Sequence, residues 1–144
     1  IEDGIIDTYV TDFPDEELLQ LDNVIAIPHL GASTPESEEN CAVMAVTQLK
    51  DFLENGNIFN SVNFPDCRMV RSSNYRLTIA HKNIPNMVGQ ISTILAKEHI
   101  NILNMINKSK GNLAYTIIDA EKEINKDIIS SLTNIEGILR VRVI

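Results

Sequence analysis

The fold of this chain is decided by residues 75–120, YRLTIAHKNIPNMVGQISTILAKEHINILNMINKSKGNLAYTIIDA. Alternating apolar residues predict a strand over 75–80, and apolar residues at helical spacing predict a helix over 87–98. Two further strands are predicted over 102–109 and 113–120, joined by a Lys-Gly-Asn turn. This stretch therefore predicts a strand, a crossover helix and a hairpin.

The last residues complete the same pattern. A helix is predicted over 125–134 and a strand over 138–144, which makes the order βαββαβ. That order is typical of the α+β ferredoxin-like sandwich, with two helices on one face of an antiparallel sheet. We expect the other face to be uncovered unless it meets a partner. Alternation in the last strand places Arg140 and Arg142 on the face opposite Leu139, Val141 and Val143.

Upstream, the pattern is of the α/β kind. A short amphipathic helix is predicted over Glu16–Leu21, and the apolar run 24–27 before Pro28 predicts a buried strand of parallel type. This strand delivers His29 into a loop at its carboxyl end. In open α/β sheets, binding and catalytic residues lie at that end.

A long helix follows this loop. Ser33 or Thr34 is placed to cap it, Pro35 suits its first position, and Gly56 suits its end. One apolar face repeats along it, formed by Ala42, Ala45, Val46, Leu49 and Leu53. The Asn, Ser and Pro clusters in 57–74 indicate a linker with room for one short strand, so we predict a domain boundary near residue 70.

Charge separates the chain into two parts. The whole chain has a net charge of −8, but residues 1–49 contain eleven acidic residues and no Lys or Arg, net −11, whereas residues 50–144 have a net charge of +3. The acidic balance argues against binding to nucleic acid or to an anionic membrane surface. Because an enzyme domain for an anionic substrate normally supplies Arg or Lys, we expect the first third to be a piece of a larger domain.

Several site types are excluded or disfavoured by residue counts. No two of the six glycines lie closer than 22 positions, so a clustered phosphate-binding loop is absent from this sequence. No spacing of His, Cys and carboxylates predicts a metal site. Two cysteines, Cys41 and Cys67, are too few for a disulfide framework, so we expect a reduced, cytoplasmic protein in which neither is catalytic.

Two sets of residues are candidates for function. His29 could act as a general base with Asp12 orienting it, although a lone loop histidine is more often solvated or capping. In the second half, Asn83 and Asn101 could bind an amino-acid ligand, because an amide side chain supplies both a donor and an acceptor. The alternative is that Asn83 and Asn86 merely form the turn before the helix.

A resemblance sharpens these hypotheses. The string IPHLGASTPESEENCAVMAVTQLKDFLENGNIFNSVNFP, residues 27–65, resembles the closing part of the nucleotide-binding domain of D-3-phosphoglycerate dehydrogenases, in the D-2-hydroxyacid dehydrogenase superfamily. The preceding DTYVTDFP resembles the stretch that carries the family's catalytic carboxylate, usually Glu, with Asp12 in its place. The resemblance implies the end of a Rossmann-type domain plus crossover helix over 1–70, with His29 and Asp12 catalytic and His29, Gly31 and Ala32 beside NAD.

Residues 71–144 are similar to an ACT domain, the regulatory module at the C-terminus of some of these dehydrogenases. The resemblance implies an amino-acid effector, L-serine, that contacts His81, Asn83 and, across a dimer interface, Asn101. Asn86 stands where the family usually has Gly, and Asn is the next-best residue for a left-handed backbone.

The function implied by the resemblance is NAD-dependent oxidation of 3-phosphoglycerate in serine biosynthesis, with serine as feedback effector. The implied partners are N-terminal catalytic domains and a second copy bound through the ACT domain, and we expect the chain by itself to be inactive. Two alternatives stay open: an amino-acid-binding regulatory module in which the first 70 residues are a tether, or a dehydrogenase of another 2-hydroxy acid.

Overall fold

A computed structural model describes residues 5–144, and these form two compact units that divide between Met44 and Ala45. Residues 1–4 of the predicted first segment lie outside the described residues. The boundary predicted near residue 70 is of a different kind, because it separates the segments by the parent domain to which each belongs. It stays a prediction.

The first unit contains a small parallel pair of strands. Strand β1, Tyr9–Thr11, pairs in parallel with β2, Val24–Ala26, and a 3-10 helix, Leu18–Gln20, lies between them in the sequence. The parallel type is as predicted, but two predictions are wrong. The helix expected over Glu16–Leu21 is a single 3-10 turn, and the strand expected to be buried is exposed, with Ile25 at 51%. A two-stranded sheet is too narrow to bury the side chains of its own strands.

The long helix has the predicted ends. Helix α1, Pro35–Asn55, follows Thr34, whose Oγ1 accepts a hydrogen bond of 3.2 Å from the Ser37 backbone N–H. Gly56 follows with a φ of +71°, the left-handed conformation that ends many helices. The predicted apolar face is largely solvent-exposed, and Val46 is 66% exposed.

The second unit has the predicted βαββαβ order. Its elements are β3 (Tyr75–Lys82), α2 (Met87–Lys97), β4 (Ile102–Lys110), β5 (Leu113–Ala120), α3 (Lys126–Thr133) and β6 (Ile138–Val143). The strands form one antiparallel sheet in the order β4-β5-β3-β6. This is the ferredoxin-like arrangement expected from the sequence.

The main core lies between one face of this sheet and the two helices α2 and α3. It is built by Leu77, Ile79, Ile91, Leu95, Ile118, Ile128 and Leu132. Of the three apolar residues predicted to share one face of β6, only Val141 packs on the core, whereas Leu139 is 50% exposed and Val143 is 40% exposed. Leu139 turns outward because a register shift at Ala80/His81 pairs His81 with Ile138, which packs on the core instead.

The other face of the sheet is covered, contrary to the prediction. Residues that follow α1 fold over it, and an antiparallel bridge between Ile58 and Cys67 closes this segment. A second core of Ile58, Cys67, Tyr115 and Ile117 forms there, with Phe52, Phe64 and Met69 packed around it. The linker therefore belongs to the second unit's structure.

A buried ion pair holds this covering segment to the sheet. Arg76 on β3 and Asp119 on β5 are both fully buried, and the Arg76 guanidinium donates two hydrogen bonds to the Asp119 carboxylate. Arg76 also donates to the Asn55 and Met69 carbonyl oxygens, at 3.0 and 2.9 Å. Asp119 in addition accepts hydrogen bonds from the backbone N–H and the hydroxyl of Ser72, both at 2.8 Å.

These contacts set the protonation of Asp119. Burial by itself raises its pKa, but the hydrogen bonds from Arg76 and Ser72 outweigh burial, so the pKa lies below its ordinary value of 3.8. A carboxyl group whose pKa is lower in the folded state stabilises the fold above its unfolded-state pKa. This contribution is lost as the pH falls below about 4.

We predict that Asp119→Asn destabilises the chain by about 3 to 5 kcal/mol at pH 7, because it leaves the Arg76 charge buried without its partner. Urea unfolding followed by circular dichroism measures the change. The exposed Glu121 provides the matched control, Glu121→Gln, which should change the free energy of unfolding by less than about 0.5 kcal/mol. The difference between wild type and Asp119→Asn should shrink below pH 4; a difference that stays constant to pH 2 contradicts the assignment.

Candidate functional site

The first candidate site lies at the carboxyl ends of the two parallel strands. Asp12 directly follows β1, and His29 comes three residues after β2. Because Thr11 and Ala26 are register partners, the chain leaves both strands at the same edge. The Nδ1 atom of His29 lies 3.1 Å from Oδ2 of Asp12, so the structure brings together the two residues predicted to be catalytic.

This pair can orient an imidazole for proton transfer. With Asp12 on Nδ1, the proton of the neutral ring is held at Nδ1 and Nε2 presents its lone pair. The side chains of His29 and Asp12 are 64% and 47% exposed, so the pair is open to a reactant. The Phe13 ring packs edge-on against the imidazole, with the two ring centroids 5.7 Å apart.

The residues predicted to lie beside NAD form the loop after His29. Gly31 and Ala32 are exposed, and a Cβ added to Gly31 would meet nothing within 4 Å. The Gly31 carbonyl accepts a hydrogen bond of 3.3 Å from the Ser37 hydroxyl, which ties the loop to the start of α1. The placement of NAD beside this loop stays a prediction, and the spread of the six glycines leaves no clustered loop for a pyrophosphate.

The residues of the second candidate site do not all come together within one chain. His81 is buried at 2% exposure; its Nδ1 lies 2.8 Å from the Lys82 carbonyl oxygen, and its Nε2 lies 2.9 Å from the Thr116 hydroxyl and 3.2 Å from Asn107 Oδ1. Its ring is therefore part of a polar network inside the sheet. The sequence analysis did not predict that Thr116 and Asn107 contact His81. The signal that could have indicated Thr116 is its polar side chain within an otherwise apolar strand.

Asn83 has a structural role in the loop after β3. Its amide donates a hydrogen bond of 3.0 Å to the Gly111 carbonyl, and its backbone N–H donates one of 2.9 Å to the Asn112 carbonyl. These bonds join the β3–α2 loop to the β4–β5 turn. Asn86, at the end of the same loop, has a φ of +65°, which confirms the left-handed backbone predicted there.

Asn101 lies at the opposite end of the sheet from Asn83. It is exposed and immediately precedes β4, beside the end of β5, since its carbonyl accepts a hydrogen bond from the Glu121 backbone N–H. His81 instead pairs with Ala114, near the start of β5. One chain therefore does not bring Asn101 together with His81 and Asn83, and a joint site needs a second copy.

The cysteines differ in environment. Cys41 is exposed, whereas Cys67 is fully buried, and burial raises the pKa of its thiol to about 11. A thiol with so high a pKa carries almost no thiolate at neutral pH, which makes Cys67 a packing residue.

Two further findings concern the described part of the chain, residues 5–144. Within it, no cluster of three or more His, Cys, Asp or Glu residues is arranged to hold a metal ion. None of its helices combines the length and the apolar character that a membrane span requires.

No family model matches the chain. The comparison with curated proteins, in contrast, gives consistent matches. It is 28% identical to "D-3-phosphoglycerate dehydrogenase" of Escherichia coli K12 over 88% of its length, and 31% identical to "D-3-phosphoglycerate dehydrogenase 2" of Saccharomyces cerevisiae over 89%. It spans about a third of the length of these relatives, 32% and 29% respectively.

Among solved structures, the chain is similar to the ACT domain of GTP pyrophosphokinase from Chlorobium tepidum and to the regulatory subunit of aspartate kinase from Thermus thermophilus. Sequence identity is 17% and 12%, and the TM-score is 0.41 in both cases. Each match covers 49% of this chain, and covers 95% and 50% of the other chain. The curated relatives match the chain over almost nine tenths of its length, so it resembles the C-terminal part of D-3-phosphoglycerate dehydrogenases, as its sequence motifs predict.

Proposed function

We propose that this chain is the C-terminal part of an NAD-dependent D-3-phosphoglycerate dehydrogenase of the cytoplasm, with residues 1–70 from the nucleotide-binding domain and residues 71–144 forming an ACT regulatory domain. The single observation that carries the proposal is the contact of 3.1 Å between His29 and Asp12 at the carboxyl ends of adjacent parallel strands. That edge of an α/β sheet is where such enzymes bind their substrates.

The reaction assigned to this pair is oxidation of the C2 hydroxyl of 3-phosphoglycerate to the ketone of 3-phosphohydroxypyruvate, the first step of serine biosynthesis. Nε2 of His29 takes the hydroxyl proton while the hydrogen on the same carbon leaves with its electron pair. Asp12 holds the imidazole through Nδ1 so that Nε2 faces the hydroxyl. NAD, when bound beside His29, Gly31 and Ala32, supplies the acceptor for the hydride.

The remaining parts of the active site are assigned to upstream domains. A phosphorylated carboxylate needs cationic residues, and residues 1–49 contain no Lys or Arg. The dinucleotide's pyrophosphate needs a glycine-rich loop, which the six widely spaced glycines cannot form. We therefore propose that the chain by itself is catalytically inactive.

The regulatory part of the proposal is that two ACT domains bind L-serine between them. β4 is an edge strand of the four-stranded sheet. Antiparallel pairing of two β4 edges would place Asn101 of one copy at the end of the sheet that carries His81 and Asn83 of the other. The two asparagines could then supply donors and acceptors for the carboxylate and ammonium groups of serine.

A second candidate function is a regulatory module that binds an amino acid without catalysis. The closed βαββαβ core of the second unit favours it, because that unit has its own hydrophobic interior. A third candidate, a dehydrogenase of a different 2-hydroxy acid, retains the same roles for His29 and Asp12. Its substrate would be selected by residues outside this chain.

The orientation of His29 can be measured in the chain itself. We predict that the neutral ring is protonated at Nδ1 and that Asp12→Ala moves the tautomer balance towards protonation at Nε2, because the acceptor on Nδ1 is removed. Long-range proton–nitrogen NMR correlations at about pH 9, where an ordinary histidine is neutral, distinguish the tautomers. The exposed Asp22 provides the control Asp22→Ala. An unchanged balance in Asp12→Ala contradicts the orienting role.

Catalysis is tested in the longer enzyme that the proposal requires. His29→Ala should lower kcat for 3-phosphoglycerate oxidation by about 100-fold to 10,000-fold, the range typical of a lost general base, with a smaller change in KM. The same Asp22→Ala control should leave kcat unchanged. Turnover that survives His29→Ala undiminished would exclude the catalytic assignment and would favour the regulatory-module function.

Effector binding is tested by calorimetry on the chain with L-serine. Asn83→Ala and Asn101→Ala should each weaken binding by about tenfold or more, because each removes hydrogen bonds to a charged group. Asn74→Ala, at an exposed asparagine, should leave the affinity unchanged. Absence of heat with serine, under conditions where the circular dichroism spectrum indicates a folded chain, would refute serine as effector.

A further inference from the structure

A cavity of about 530 Å³ opens in the second unit, on the sheet face away from α2 and α3. Its floor is formed by three adjacent strands, because Ala80 on β3 pairs with Tyr115 on β5 and with Arg140 on β6. Part of α1, from Ala45 to Phe52, and the segment after it form the walls. This volume lies within the range of about 300 to 1,000 Å³ that is usual for small-molecule sites.

The walls of the cavity are mainly apolar. Leu49, Phe52, Ile58, Phe59 and Phe64 contribute most of the apolar side chains. Protein interiors are close-packed and leave few voids larger than a water molecule. An open apolar space of this size is therefore suited to the apolar body of a ligand.

The charged side chains that line the cavity all have one sign. Arg140 and Arg142 line it, and the described residues that line it include no Asp or Glu. The Arg142 guanidinium is engaged within the chain: it donates hydrogen bonds to the Phe52 and Leu53 carbonyl oxygens, at 3.3 and 3.1 Å, and lies over the Phe52 ring. The Arg140 guanidinium makes no hydrogen bond or ion pair within residues 5–144, so its donors are open to a ligand.

We propose that this cavity binds a small apolar carboxylic acid, with the hydrocarbon or aromatic body against the phenylalanine walls and the carboxylate on Arg140. Charge complementarity selects an anion, because two guanidinium groups lie at the site and no acidic side chain lines it. The apolar walls match a hydrocarbon or aromatic body better than they match the hydroxymethyl side chain of serine. The site is thus chemically and spatially separate from the effector residues His81 and Asn83.

The test is calorimetry with octanoate on the full 144-residue chain, with octan-1-ol as the neutral probe of similar size. Octanoate should bind saturably. Arg140→Gln should weaken octanoate binding by about tenfold, because a charge-assisted hydrogen bond is lost, and should leave octan-1-ol binding unchanged. The exposed Lys122 provides the matched control Lys122→Gln, for which octanoate affinity should equal that of wild type.

A second variant fills the cavity. Ala45 lines it and is exposed at the helix surface, so Ala45→Phe should block both probes without disturbing the fold, as judged by circular dichroism. Three results overturn the proposal: no saturable heat with octanoate on the folded wild type, equal octanoate affinity in wild type and Arg140→Gln, or unchanged binding in Ala45→Phe. A dimer that Ala45→Phe dissociates in sedimentation would assign the cavity to a second copy instead. None of these results bears on serine binding, which Asn83→Ala tests independently.

Discussion

The buried pair of Arg76 and Asp119 is the constraint on which the second unit depends. A guanidinium and a carboxylate removed from water are tolerated only when every donor and acceptor is used. Here Arg76 also donates to the carbonyl oxygens of Asn55, at the end of α1, and Met69, in the covering segment. Asp119 also accepts a hydrogen bond from Ser72. One ion pair therefore attaches two stretches of chain to the sheet, the end of α1 and residues 69–72, and the walls of the cavity follow from that attachment.

The two ion pairs within residues 5–144 have opposite consequences. The pair of Asp12 and His29 is exposed, and such pairs contribute at most about 1 kcal/mol to stability. An exposed pair of this kind matters instead through its geometry. When one nitrogen of an exposed imidazole is hydrogen-bonded to a carboxylate, the other nitrogen is available for proton transfer. The fully buried pair of Arg76 and Asp119 is instead inaccessible to a reactant and acts on the fold alone.

The two faces of the antiparallel sheet separate the two ligand sites that we propose. His81 and Thr116 lie on the face that packs against the helices, where buried polar groups satisfy one another. Ala80 and Arg140 lie on the opposite face, where the covering segment leaves an apolar space beside a free guanidinium. Because side chains alternate along a strand, neighbouring residues such as Ala80 and His81 can serve different sites.

Local sequence patterns were enough to predict the long helix α1 and the order and type of the elements in the βαββαβ unit. Periodicity predicted all six elements of the βαββαβ unit, and local capping chemistry predicted the ends of α1 at Thr34 and Gly56. Asp12 was proposed as the partner of His29, but no strand was predicted over Tyr9–Thr11, so the pairing of β1 with β2 that brings the two residues together came from the structure. Periodicity and capping depend only on neighbours within a few residues.

The tertiary structure alone decided the contacts between distant segments. It determined that residues after α1 cover the sheet, that Arg76 finds Asp119 forty-three positions away, and that a register shift turns Leu139 outward. Alternation assigns a residue to a face, but it does not specify what packs on that face or where a bulge shifts the register. Those outcomes depend on packing and hydrogen bonding across the whole unit, which no local pattern encodes.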